Sequence, residues 1–281
     1  MKRGLIFGCL IVMSCLVTSC SLKTNESKDG GKKTNLVIIA GFHSNSKVMD
    51  IEKDLTDKIE DIYLNFGEIR VIVVDGNPEM AVGSDGTKVG ELEEEYLKKS
   101  QAVKKKSEHI WERDYLTNQT KHFMEEFKKL EPDDSEVDTL EAIFKAVGTL
   151  NDISEDKDNK EILIYDTGLC TSGEFNFVNN NEWKDMLFED DELQDEKIQN
   201  LIKELKHKDL IPDLSGIKVA WHGIGETAGS QGKLDKRYIS NLTKMWQGIL
   251  TASDAVPQDE SGNGNYFNSS SWHGETNYSQ K

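Results

Sequence analysis

Asn35-Leu36-Val37-Ile38-Ile39-Ala40, followed at once by Gly41-Phe42-His43-Ser44-Asn45-Ser46, decides the fold class of this chain. The first stretch is an unbroken aliphatic run without polar alternation. Such a run reads as a strand buried on both faces, the kind that parallel sheets covered by helices contain. Next, Val48, Ile51, Leu55, Ile59, Ile62 and Phe66 recur at steps of three and four, so a helix laying one apolar stripe on the sheet is expected.

The same alternation continues along the chain. Glu68–Val74, Glu161–Tyr165 and Ile217–Trp221 read as further buried strands. Apolar stripes at helical spacing run through Val137–Leu150, Leu193–Leu205 and Leu234–Ile249. Strands alternating with amphipathic helices predict an α/β fold: a doubly wound, mostly parallel sheet flanked by helices, occupying residues 35–252. Residues 89–130 break the rhythm with a charged run and then Tyr115, Phe123, Phe127 and Leu130, which predicts one or two surface helices inserted after the second strand. Opposite charges alternate there and suit pairing at i,i+4, as a solvated face requires.

Residues 1–19 open with Lys2 and Arg3, pass through an apolar run from Leu5 to Val17 that is too short to span a bilayer, and end in small residues before Cys20. The segment resembles a bacterial lipoprotein signal peptide. That resemblance implies cleavage before Cys20, lipidation of Cys20 with an acyl chain such as palmitate, and an extracytoplasmic domain held on a membrane by its lipid. Residues 20–34 are polar and glycine-bearing, as a flexible tether would be. Residues 253–281, rich in Asn, Ser and Gly, are expected to form a disordered polar tail.

Cys9 and Cys15 would leave with the signal, so Cys170 remains as the single free thiol of the mature domain, without a disulfide partner. The formal net charge is −17, and loss of Lys2 and Arg3 makes it more negative. Such acidity argues against nucleic acid as a partner and against an electrostatic grip on anionic lipid.

In a doubly wound sheet, ligands bind beyond the carboxyl ends of the strands. Those ends carry Gly41–Ser46, Asp75–Pro78, the run Asp166-Thr167-Gly168-Leu169-Cys170-Thr171-Ser172-Gly173, and His222–Thr227. The pattern resembles a von Willebrand factor type A domain with a metal-ion-dependent adhesion site, over roughly residues 35–252. The resemblance implies Ser44 and Ser46 as the two serines of the first loop, Thr139 as the later threonine and Asp166 as the aspartate. Together they would hold Mg²⁺ or Mn²⁺ through hard oxygen ligands and present it to a protein or cell-envelope partner. Phe42 stands where the family has its first metal-binding aspartate, so the site is degenerate and the interaction could proceed without metal. Read without the resemblance, Ser44, Ser46 and Asp138 or Thr139 are helix caps, and Asp166 is an acceptor for backbone amides.

A second reading assembles an extracytoplasmic hydrolase from Cys170, His222 and Asp166, or a zinc centre that adds His43 and Glu226. No local signature of either enzyme class is present, and no catalytic residue is assigned. Gly223, Gly225 and Gly229 follow the last strand instead of the first of a βαβ unit. They therefore predict a tight turn and not a dinucleotide loop.

Overall fold

The structure, a computed structural model, describes residues 33–41, 52–64, 67–75, 78–80, 106–130, 136–156, 158–177, 180–189, 191–227, 233–258 and 265–267. The chain divides into two units between Gly31 and Lys32, and every described residue belongs to the second. Phe42, His43, Ser44, Ser46 and the lipidation candidate Cys20 lie outside the described residues.

The strands are β1 (Thr34–Ala40), β2 (Ile69–Val73), β3 (Glu79–Met80), β4 (Asn159–Tyr165), β5 (Ile217–His222) and β6 (Val256–Pro257), and they form one sheet in the order β3-β2-β1-β4-β5-β6. Every neighbouring pair is parallel except β2 and β3. The helices are α1 (Glu52–Leu64), α2 (Lys106–Phe127), α3 (Thr139–Ile153), the short α4 (Asn181–Lys184) running into a π-helical turn at Asp185–Glu189, α5 (Asp195–His207) and α6 (Lys236–Ala252).

Alternation along each strand sends side chains to two separate cores. Leu36, Ile38, Ala40, Ile69, Val71, Leu163 and Tyr165 meet Leu55, Ile59, Ile62 and Tyr63 of α1 and Phe123, Met124 and Phe127 of α2. Val37, Ile39, Ile72, Ile162, Ile164, Val219 and Trp221 meet the buried faces of α3, α5 and α6 on the other side. This is the expected doubly wound α/β sheet. Its order reverses between β1 and β4, the switch point at which such sheets bind ligands.

Helix ends follow local chemistry. Asp138 caps α3, its side chain accepting the Glu141 N–H at 3.0 Å, and Asp235 caps α6 by accepting from the Arg237 N–H at 2.8 Å. Asp195 and Glu196 in the first turn of α5, with Lys206 and His207 in its last, oppose the helix dipole favourably. Both α5 and α6 close with Schellman-type bonds through a left-handed aspartate, Asp209 (φ 56°) and Asp254 (φ 57°).

The insertion contains one described helix, α2. Its C-terminal end is not wholly a surface element, because Phe123, Met124 and Phe127 are buried against α1. Of the stretch expected as a tail, residues 253–258 and 265–267 are described. Val256 and Pro257 extend the sheet alongside β5. The Trp221 N–H donates to the Tyr266 carbonyl at 2.8 Å, and the Tyr266 hydroxyl donates to the Ala255 carbonyl at 2.9 Å. Tyr266 is buried in the core that holds Trp221, and the half-buried Phe267 ring packs 5.9 Å from Trp221. No helix among the described residues is long and apolar enough to cross a membrane.

Candidate functional site at the strand switch point

Asp166 is the first residue beyond β4, and Thr139 is the first residue of α3. Parallel pairing of β1 with β4 sets Ala40 opposite Tyr165, so Gly41 and Asp166 leave the sheet side by side. The Gly41 N–H continues the ladder by donating to the Tyr165 carbonyl at 2.8 Å. The capped start of α3 is anchored to the next strand end, where the Asp138 N–H donates to the Asp75 carbonyl at 3.0 Å. Topology alone therefore brings Gly41, Thr139 and Asp166 together.

The side chains complete the arrangement. Thr139 Oγ1 donates to Asp166 Oδ2 at 2.7 Å, and the Gly168 N–H donates to the same oxygen at 2.8 Å. Both residues are buried, Thr139 fully and Asp166 to 3% exposure. Asp166 Oδ1 has no hydrogen-bond partner. It faces Gly41, where an added Cβ would stand 2.0 Å from it.

A shell of indoles fixes the loop that carries Asp166. Trp221 Nε1 donates to the Asp166 carbonyl at 2.8 Å, and Trp246 Nε1 donates to the Gly168 carbonyl at 2.9 Å. The two indoles pack 4.8 Å apart, with Phe175 edge-on to Trp246 at 5.3 Å. Gly168 sits at φ +73° with an added Cβ 2.8 Å from Trp246 Nε1, so only glycine suits this turn. Buried indole N–H groups require acceptors, and here they orient the functional loop while satisfying that need. Trp221, Trp246 and Gly41 were not singled out from the sequence for this role. The available signal was a glycine directly after the first strand.

Of the four residues expected to ligate metal, Thr139 and Asp166 are joined, while Ser44 and Ser46 lie outside the described residues. The donor set of the described residues does not fit a divalent ion. Of the expected ligands among the described residues, Asp166 supplies the carboxylate, and its Oδ2 already accepts from a hydroxyl and an amide. The neighbouring Asp138 is committed to the helix cap and has its Oδ2 against Gly173, so it does not turn inward as a replacement. Burial raises the Asp138 pKa above the ordinary carboxylate value, with the Glu141 charge adding to the rise and the Glu141 N–H opposing it. A hard dication bound by a single carboxylate would keep uncompensated charge in a largely apolar shell.

The hydrolase arrangement is not assembled. Cys170 is fully buried in the core beneath α3, where burial pushes its thiol up to about 12 and the charges of Asp166 and Asp138 add to the rise. A thiol so disposed is inert at neutral pH. The His222 ring instead stacks on Tyr165 at 5.0 Å. Tyr165 belongs to the opposite core, so the sheet separates imidazole from sulfur. No group of three His, Cys, Asp or Glu side chains converges on a metal position among the described residues. Gly223 and Gly225, at φ +84° and +69°, form the expected tight turn, closed by the Glu226 N–H donating to the Gly223 carbonyl at 2.9 Å.

No protein-family model matches the chain, and no curated protein matches its sequence. Solved structures similar to it include proximal thread matrix protein 1 from the mussel byssus, at 9% identity and a TM-score of 0.38 over 81% of this chain. The chain spans 43% of that protein. The von Willebrand factor A domain of SpRpn10 matches at 11% identity and a TM-score of 0.34, over 80% of this chain and 86% of that one. The BatB protein from Bacteroides thetaiotaomicron matches at 12% identity and a TM-score of 0.36, over 80% and 88%. The doubly wound fold itself is read from this chain's own strand order and register.

Proposed function

We propose that this chain is a lipid-anchored, extracytoplasmic interaction domain of the von Willebrand factor A kind, tethered through Cys20, that engages a protein or cell-envelope partner at the carboxyl edge of β1 and β4. The observation that carries this reading is the unpartnered Asp166 Oδ1 at the switch point, held rigid through Thr139, Gly168 and Trp221. A buried oxygen without a protein partner costs about 1–3 kcal/mol, which a donor supplied by a partner would offset. The partner is engaged without Mg²⁺ or Mn²⁺, since one carboxylate does not balance a dication. The residues act by binding and not by turnover, because Cys170 is inaccessible and His222 lies across the sheet from it.

Co-sedimentation of the full-length chain in detergent with bacterial envelope fragments tests this. The native chain should sediment with and without EDTA, and Asp166→Asn should stay in solution while melting normally. Equal sedimentation of native and variant chains would overturn the reading. Sedimentation lost on adding EDTA would return the site to a metal-mediated one.

A further inference from the structure

Between α5 and the short α4 with its π-helical continuation lies an open groove of about 510 Å³, a size that takes a few side chains of a peptide. We propose that it docks a short segment of a partner protein in which an apolar side chain is flanked by lysine or arginine. None of the residues of the switch-point site lines it.

The first ground is shape. On the α5 side the groove is lined by Lys197, Asn200, Leu201 and Glu204, and across from them by Glu182, Asp185 and Met186. Steps of three and four put each set on one helical face, so the groove is a trough between two such faces, a form suited to a peptide segment. Met186, half-buried, gives the trough apolar surface beside the aliphatic stem of Lys197, and Asn200 offers an amide to a peptide backbone.

Rigidity is the second ground. Asn241 of α6, fully buried, donates to the Leu187 carbonyl at 3.3 Å and accepts from the Leu193 N–H at 2.9 Å, which pins the π-helical turn. Trp183 is buried in the core, and its Nε1 donates to the Glu174 carbonyl at 3.2 Å. The wall that carries Glu182, Asp185 and Met186 is thus fixed before a partner arrives, and binding there orders little that is not already ordered.

Charge is the third ground, and it selects the partner. Glu182 and Asp185 are exposed and Glu204 is half-buried, against the single ammonium of Lys197 in the lining. Lys208 already answers this field. Its ammonium donates to Glu204 at 2.8 Å, and that bond, with the charges of Glu204, Glu174 and Glu182, raises its pKa. A basic segment meets complementary charge on the rim while its apolar side chain covers Met186.

The test is fluorescence anisotropy of a labelled Lys-Lys-Leu-Lys peptide titrated with the full-length chain in detergent. The native chain should bind it saturably, and should bind the Lys-Lys-Ser-Lys counterpart about fivefold more weakly for want of the apolar side chain. Replacing both Glu182 with Gln and Asp185 with Asn should weaken binding about fivefold, as loss of two exposed ion pairs requires. Met186→Gln keeps the length of the side chain, removes its apolar character and should cost about threefold or more. Asp57→Asn with Glu60→Gln removes the same charge from α1, which packs on the opposite face of the sheet, and should leave the affinity unchanged. Equal weakening by this control means general attraction to an acidic chain and overturns the inference. Equal affinity for the serine peptide, or no saturable binding, overturns it as well. Asp166→Asn should bind the peptide as the native chain does; loss of binding in that variant would move the peptide to the switch point and overturn the groove while keeping the edge as an interaction site.

Discussion

The hydroxyl of Thr139 and the carboxylate of Asp166, 27 residues apart in sequence, meet at 2.7 Å across the switch point of the sheet. One residue opens a helix and the other ends a strand, so this bond couples the two layers at the place where a ligand would enter.

Replacing Thr139 with Val keeps the volume and removes the donor. Asp166 Oδ2 would then keep only the Gly168 amide, and stability should fall by about 1–3 kcal/mol. Thr139→Ser retains the hydroxyl and should lose less than half as much. Urea unfolding of both variants measures the difference.

Asp138 separates a cap from a charge. Its folded pKa lies above its ordinary value because it is buried, so its protonated form is favoured by folding. That contribution is complete below the ordinary carboxylate range and is lost as pH rises through the raised folded value. Asp138→Asn keeps a competent cap without the buried charge and should be at least as stable as the native chain at pH 7, with the advantage vanishing in acid. Asp138→Ala loses the cap and should cost about 1 kcal/mol. Denaturant midpoints across pH 3–8 distinguish the two.

Cys170 supplies a second pH signature. Its folded pKa, about 12, exceeds its ordinary value near 9.0. The stability it contributes is therefore fully present below pH 9 and falls as pH rises from there towards 12. Cys170→Ala should flatten the decline in unfolding free energy between pH 8.5 and 10.5. The native thiol should also resist iodoacetamide until the chain unfolds.

Two glycines predict opposite outcomes on substitution by alanine. Gly41→Ala forces a Cβ onto Asp166 Oδ1 and should cost about 1–3 kcal/mol. Gly148→Ala, in the middle of α3 with no atom within 4 Å of the new carbon, should stabilise by about 0.5–1 kcal/mol. Thermal melts of the pair measure both signs in one experiment.

Much of this fold is legible in sequence because its strands are buried on both faces. Leu36–Ala40 and Ile162–Tyr165 present unbroken apolar runs, Ile217–Trp221 presents one interrupted by the exposed Lys218, and α3, α5 and α6 present clear stripes. β3 and β6 escaped notice because two residues carry no period, and Pro257 marks an edge position by its missing N–H. Tyr266 and Phe267 stand in a polar stretch whose composition hides their packing on Trp221. Asp166 is marked by its place directly after a buried strand, whereas Thr139 is pointed to only by the resemblance to the von Willebrand factor A pattern. The capping role of Asp138 and the opposed faces of Cys170 and His222 depend on side-chain direction, which one sequence does not specify.

Calorimetric titration of Mg²⁺, Mn²⁺ and Zn²⁺ into the full-length chain, beside Asp166→Asn, tests most directly the claim that this edge binds its partner without metal. The account predicts no saturable heat that the substitution abolishes, whereas stoichiometric Mg²⁺ or Mn²⁺ binding lost in Asp166→Asn would contradict it.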